Sequence, residues 1–195
     1  MSGFNIYMTG VGGQGIGMLS EVLIRAVDHA GLPARGVDTH GLAQRGGIVV
    51  SHLRLGSGAH SPLIPAHGAH LAAALERHEA LRALNEFVAD EGTLVYYDTV
   101  WQPLAVRLGD AEAVSAEAVA ETSRRRRVTC LPVFRKDLAD VRMQNTVLLV
   151  TLAGRDLIPD VAPEHYRLAM GDLMAGALLE ANLALFDEEL QRQKG

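Results

Sequence analysis

The apolar positions of the first third of the chain change period twice. Phe4–Thr9 has the character of a short strand, and Gln14–Ala30 then sets Ile16, Leu19, Leu23, Ile24 and Val27 at helical spacing. Gly31-Leu32-Pro33 stops that helix, because glycine accepts a left-handed cap and proline cannot extend the turn. Ala34–Asp38 reads as a second strand, Thr39–Gly47 as a polar loop, and the β-branched run Ile48–Leu55 as a third strand. Ser57–Gly68, with Pro62 and Pro65, is a loop. Ala69–Leu75 reads as a central strand, Glu76–Asp90 as a helix and Thr93–Tyr97 as another strand. Leu104–Arg107 and Arg127–Val133 are weaker strand signals around a short helix near Ala116–Thr122. Gln144–Ala153 is an apolar helix ended by Gly154, and Pro163–Gln193 is one or two helices, with Gly171 and Gly176 as the points of a break or kink.

Strands alternating with helices predict an α/β fold, Rossmann-like, with a mostly parallel sheet, helices on both faces and further helices at the C-terminus. A chain of 195 residues, 48% hydrophobic, is long enough for one well-buried domain, taken here as residues 1–195. The net charge of −5 gives no bulk electrostatic case for nucleic acid. Leu168–Phe186, the most apolar region, is interrupted by Asp172, Glu180 and Asn182, which suits a buried or interface helix and not a membrane span. No basic region precedes an apolar stretch at the start, so a cytoplasmic protein is expected.

Gly10-x-Gly12-x-x-Gly15, between the first strand and the first helix, matches the dinucleotide-binding fingerprint. Such a turn aims unpaired backbone N–H groups out of the sheet's carboxyl edge, where glycines let an anion approach. NAD also requires an acid about 20 residues on, at the end of the second strand, and Asp38 stands 23 after Gly15. The same glycines serve equally as a tight turn for strand–helix packing. Gln14 adds an amide able to donate or accept across the turn. After Asp38 comes an unusual loop, in which Arg45 stands directly before Gly46-Gly47, a guanidinium beside a free backbone suited to an anionic partner. His40 adds a group that titrates near neutrality. Strand periodicity sets His52 and Arg54 on one face and Ser51, Leu53 and Leu55 on the other; a surface hairpin with a solvated arginine accounts for the same residues.

"TGVGGQGI", "HGLAQRGG", "SHLRLG", "SPLI" and "LERHEALR" occur in this order, and "MQNTVLLVTLAG" follows at 143–154. Together they resemble the gamma-type domain of 2-oxoacid:ferredoxin oxidoreductases, with the greatest similarity to the beta subunit of the indolepyruvate branch. The resemblance covers essentially the full chain. "GVGGQG" joined with "AQRGG" is specific, whereas either half alone is not. It implies a heterodimer in which a larger alpha subunit carries thiamine diphosphate, Mg and [4Fe–4S] clusters. Oxidative decarboxylation of an aryl pyruvate would then pass electrons to ferredoxin and the acyl group to coenzyme A. Under it His40, Gln44 and Arg45 belong to the active-site approach, and Gly12, Gly13, Gln14, Gly15, Arg45, Gly46 and Gly47 contact an anion or the partner's site. No metal ligand is assigned to this chain. His70 stands where the family commonly has aspartate. A stand-alone NAD- or FAD-binding oxidoreductase, and a non-catalytic assembly subunit of the same fold, are the alternatives.

Cys130 is the single cysteine, so the chain alone supplies neither a disulfide nor a four-thiolate cluster site. Within an apolar strand it reads as a buried inert thiol. Arg124–Arg127 reads as a solvated loop before the 127–133 strand. Glu76 and Glu79 suit the first turn of a helix, and Ala175-Gly176-Ala177 permits close helix packing.

Overall fold

The computed structural model describes residues 3–40, 47–58, 61–101, 106, 108, 109 and 112–193. β1 (Phe4–Val11) sends Ile6 and Met8 to one face of the sheet and Tyr7 to the other. β4 (Ala69–Ala74) and β5 (Val88–Tyr97) repeat the alternation, with Leu71, Ala73 and Val95 on the first face and Ala72, Ala74 and Leu94 on the second. Each strand is therefore apolar on both sides, as a sheet covered on both faces requires.

α1 (Ile16–His29), α4 (Gln144–Gly154), α5 (Pro163–Leu173) and α6 (Gly176–Arg192) build the first core. α2 (Arg77–Glu86) and α3 (Ala116–Arg125) build the smaller second one. α1 buries Leu19, Val22, Leu23, Ala26 and Val27 along one stripe. Each large aliphatic side chain fully buried there contributes roughly 1.5–3 kcal/mol. α4 is buried on every side from Gln144 to Ala153, so it is the central helix of the larger layer.

With β2 (Ala34–His40), β3 (Ile48–Leu55) and β6 (Thr129–Val133), the strand order is β2-β3-β1-β4-β5-β6. β1, β4, β5 and β6 pair in parallel, while β3 runs antiparallel to both β1 and β2. The sheet is thus mixed, and only β3 is reversed. A parallel return from β2 needs a crossover of about a dozen residues or more, and the stretch between His40 and Ile48 is too short for one.

Several boundaries depart from the sequence pattern. The expected helix Glu76–Asp90 spans only Arg77–Glu86, because Glu76 is its N-cap and Val88 is already paired with Ala69. The C-terminal stretch divides at Met174 and Ala175 into two helices, with Gly176 at a φ of +56°, whereas Gly171 stays helical. Arg124–Arg127 is solvated at three positions, Arg124, Arg125 and Arg127, but it is not all loop and Arg126 is half-buried. Arg124 and Arg125 close α3, and the Arg126 guanidinium donates to the carbonyls of Leu84 and Val88 and to Asp90. It thereby ties α2 and β5 to the end of α3. The expected strand Leu104–Arg107 lies outside the described residues except for Val106, which is helical.

Candidate functional site at the carboxyl edge of the sheet

β1 and β4 are neighbours in the sheet, but their connections leave in opposite directions, β1 through α1 toward β2 and β4 through α2 toward β5. This is the topological switch point, where open α/β sheets leave a crevice for ligands. The glycine turn stands over it. Gly13 and Gly15 have φ of +106° and +87°, a left-handed backbone that side chains oppose. Gly15 caps α1 without any side-chain hydrogen bond, so the helix begins after Gln14 and not at it.

Gln14, in this turn, is 1% exposed. Its Oε1 accepts from the N–H of Val11 at 2.8 Å, and its Nε2 donates to the carbonyl of Leu75 at 2.9 Å. One amide thus joins the end of β1 to the residue following β4. Each amide atom has an internal partner, and through these two bonds Gln14 shapes the turn.

The second motif meets the first directly. The N–H of Gly12 donates to the carbonyl of Gly47 at 2.8 Å. Gln44, Arg45 and Gly46 lie outside the described residues, as does the side chain of His40. The helix Asn145 opens also arrives here: its Nδ2 donates to the carbonyl of Gly15 at 2.9 Å. Asn145 is 6% exposed, and its Oδ1 has no partner among the described residues. Trp101 stands close enough that a Cβ on Gly13 would touch its ring at 3.8 Å. The site therefore combines two glycine-rich segments, the N-terminal ends of α1 and α4, and one unspent amide oxygen.

Asn145 is a contact that spacing does not expose, since it lies 130 positions from Gly15. The available signal was Gln144-Asn145, a polar pair opening a helix that is otherwise apolar.

Asp38, which the fingerprint offers to a ribose, is already engaged. Its Oδ1 accepts from the hydroxyls of Ser20 at 3.0 Å and Ser51 at 2.5 Å, tying β2 to α1 and β3. His52 and Arg54 share a face as their spacing indicates, and both anchor the 61–64 loop. The His52 Nδ1 accepts from the Ile64 N–H at 3.2 Å, and burial lowers that imidazole's basicity. Arg54 donates to Asn5 Oδ1 at 3.0 Å and to the Ser61 carbonyl at 2.9 Å. His70 accepts from the Asn5 N–H at 3.0 Å and stacks on Phe4. Cys130 is half-buried, and burial pushes its thiol up, away from the thiolate.

Below the turn, the Thr9 hydroxyl donates to Glu79 Oε2 at 2.8 Å. Glu79 is 2% exposed; burial, the largest influence, pushes its carboxyl up despite Thr9 and the Arg82 guanidinium. The folded chain therefore holds this proton to higher pH than the unfolded chain does. The associated stability is present at low pH and is lost as pH rises through the folded value. Glu79→Gln keeps an acceptor for Thr9 and removes the buried charge. Urea unfolding at about pH 4 and about pH 7 should show the variant gaining on wild type at the higher pH. A variant that loses most stability at neutral pH would show that Glu79 is needed as the carboxylate.

Comparison with known proteins places this geometry in a family. The profile described as pyruvate ferredoxin/flavodoxin oxidoreductase matches residues 5–191. The indolepyruvate oxidoreductase subunit IorB of Archaeoglobus fulgidus is 34% identical over 92% of this chain and 90% of its own length. Among solved structures, a 2-oxoglutarate:ferredoxin oxidoreductase from Magnetococcus marinus, with 2-oxoglutarate, coenzyme A and succinyl-CoA bound, superposes with a TM-score of 0.73 at 17% identity. That match covers 100% of this chain and 31% of the other. The gamma subunit of a keto/oxoacid ferredoxin oxidoreductase from Geobacter sulfurreducens gives a TM-score of 0.64 at 16% identity, over 97% of this chain and 98% of its own.

Proposed function

The chain belongs to the pyruvate ferredoxin/flavodoxin oxidoreductase family, and from that premise we propose that it is the smaller subunit of a coenzyme A-dependent indolepyruvate:ferredoxin oxidoreductase. The observation that carries this reading is the Gly12–Gly47 hydrogen bond, which joins the two halves of the family's combined motif in one site. A larger alpha subunit holds thiamine diphosphate, Mg and the [4Fe–4S] clusters and delivers electrons to ferredoxin. Thiamine diphosphate supplies the decarboxylation chemistry. The donor set agrees with that division, because a four-thiolate cluster cannot be built from Cys130 alone.

The part left to this chain is binding and orientation. Gly13 and Gly15 bring backbone N–H groups close to an anion at the start of α1, while Gly12, whose N–H is bound to the Gly47 carbonyl, leaves the approach clear of a side chain. Asn145 Oδ1 accepts from a donor group of the same ligand. Gln14 acts by holding the turn open to that ligand. Arg45, Gly46 and Gly47 add a guanidinium and two further residues without side chains, with His40 and Gln44 of the same segment on the approach. A coenzyme A phosphate, the carboxylate of the 2-oxoacid or an acid of the partner subunit is the counter-ion. The domain assignment follows: residues 1–195 act as one gamma-type unit. A dinucleotide suits the geometry less well, because Asp38, the acid it would need for its ribose, is bound by two serines.

Arg45→Ala in the assembled enzyme tests the proposal. A desolvated, charge-assisted contact contributes about 1.5–3 kcal/mol, so turnover or the affinity for the partner should fall by roughly one to two orders of magnitude. Arg45→Lys should recover only part of it, since it keeps the charge and loses the planar fork. The unfolding midpoint of the isolated chain should barely move. Wild-type kinetics together with wild-type assembly in Arg45→Ala would reduce the loop to a turn.

A further inference from the structure

The Glu76–His78 pair at the head of α2 has no part in the proposed reaction, and its bonding is specific. Glu76 is fully buried. Its Oε1 caps α2 by accepting from the Glu79 N–H at 2.5 Å, and its Oε2 lies 3.0 Å from His78 Nδ1. The other ring nitrogen, Nε2, accepts from the backbone N–H of Val114 at 3.1 Å. A ring nitrogen that accepts from a backbone N–H carries no proton of its own. The proton therefore sits on Nδ1 and points at Glu76, and the imidazole is neutral in a tautomer fixed by its two partners.

Val114 is a strategic residue to hold. Its side chain packs against the second core, and it directly precedes Ser115, the N-cap of α3. The first turn of α3, with Ala116 and Glu117, lines a cavity of about 410 Å³ together with Tyr96, Asp98, Cys130 and Pro132. Burial pushes the Tyr96 hydroxyl up to about 12, so that wall of the cavity stays uncharged near neutrality.

We propose that His78 is a proton-operated latch on segment 112–115: the neutral ring holds Val114 and the start of α3 against α2, and the protonated ring lets them go. Protonation puts an N–H on Nε2, facing the N–H of Val114, and two donors cannot share one hydrogen bond. The imidazolium keeps its contact with Glu76, now as an ion pair, so only the outer bond is lost. The charged groups on the elements around the ring are Glu76 at the cap of α2, Arg77, Glu79, Arg82 and Glu86 on α2, Asp98 after β5, Glu112 on the segment itself, and Glu117, Glu121, Arg124 and Arg125 on α3. Arg77 is paired with Asp98 and Arg82 with Glu79, so neither cation competes for Glu76.

Amide hydrogen exchange on the full-length chain, read by NMR at about pH 7.5 and about pH 5.5, tests the latch once each rate is divided by its intrinsic value. Val114 should lose protection by about tenfold at the lower pH, as expected for one lost hydrogen bond, while Ser123, buried further along α3, should not change. In His78→Gln the side-chain oxygen accepts from Val114 at both pH values, so the difference between them should vanish. Should that variant not fold, the ring nitrogens of wild type still report the Nδ1–H tautomer at the higher pH. Equal protection of Val114 at both pH values in wild type would overturn the latch. So would an undiminished pH effect in His78→Gln, or an Nε2–H tautomer.

Discussion

Gln14→Leu should lower the thermal midpoint of the isolated chain by about 5–20 °C, the largest effect expected of any conservative change at the turn. Leucine fills the same space and makes neither hydrogen bond. The N–H of Val11 and the carbonyl of Leu75 are then left unpaired in a site where Gln14 itself is 1% exposed. Each unpaired buried group costs about 1–3 kcal/mol, and the two are independent. Gln14→Glu discriminates between loss of bonding and loss of packing. An ionised carboxylate still accepts from Val11, but it turns a second oxygen toward the Leu75 carbonyl. That variant should be destabilised at neutral pH and recover as the carboxyl gains a proton and becomes a donor. If both variants melt with wild type, the amide is not the brace between β1 and β4.

Gly15→Ala should cost roughly 2–4 kcal/mol and weaken the site as well as the fold. A left-handed backbone costs an L-residue roughly 1–2 kcal/mol, and Gly15 sits at a φ of +87°. A Cβ there would lie 2.7 Å from Asn145 Nδ2, closer than real contacts allow. Asn145 must then move, and its bond to the Gly15 carbonyl, worth about 1 kcal/mol, is lost. Gly17→Ala is the internal control, because a Cβ at Gly17 meets nothing within 4 Å. It should be neutral or stabilise α1 by up to roughly 0.5 kcal/mol, since Gly17 stands in the first turn, where the helical backbone is only partly fixed. A clear loss in urea titrations of Gly15→Ala, with none in Gly17→Ala, is the expected outcome. Equal and small effects would mean that the turn has room which the geometry denies it.

These residues also show how far the sequence could be read. Glycine spacing after an apolar run located the β1–turn–α1 unit to within two residues, since strand and helix periods are local properties. It could not show that Gln14 lies outside the helix, because the left-handed cap at Gly15 is a backbone fact. Nor could it show that Asp38 is bound by Ser20 and Ser51, since those contacts join three separate elements. The α2 boundary failed for a related reason. Residues 87–90 are compatible with a helix, but pairing of Val88 with Ala69 draws them into the sheet. Arg126 was read as solvated because four arginines in a row usually are, yet three oxygens on neighbouring elements collect its guanidinium. The two halves of the combined motif stand far apart in sequence, and the Gly12–Gly47 hydrogen bond that joins them is a tertiary contact. Asn145, reached only through the tertiary fold, completed the site.

Under the proposed function, this chain completes a coenzyme A-dependent 2-oxoacid:ferredoxin oxidoreductase and has no redox chemistry of its own. Co-expression with the larger subunit, followed by assay of indolepyruvate, phenylpyruvate and pyruvate with coenzyme A and a ferredoxin acceptor, measures it directly. Acceptor reduction should require both chains and coenzyme A, and should favour the aryl pyruvates. Full turnover by the larger subunit without this chain, or nicotinamide reduction by this chain alone, would contradict it.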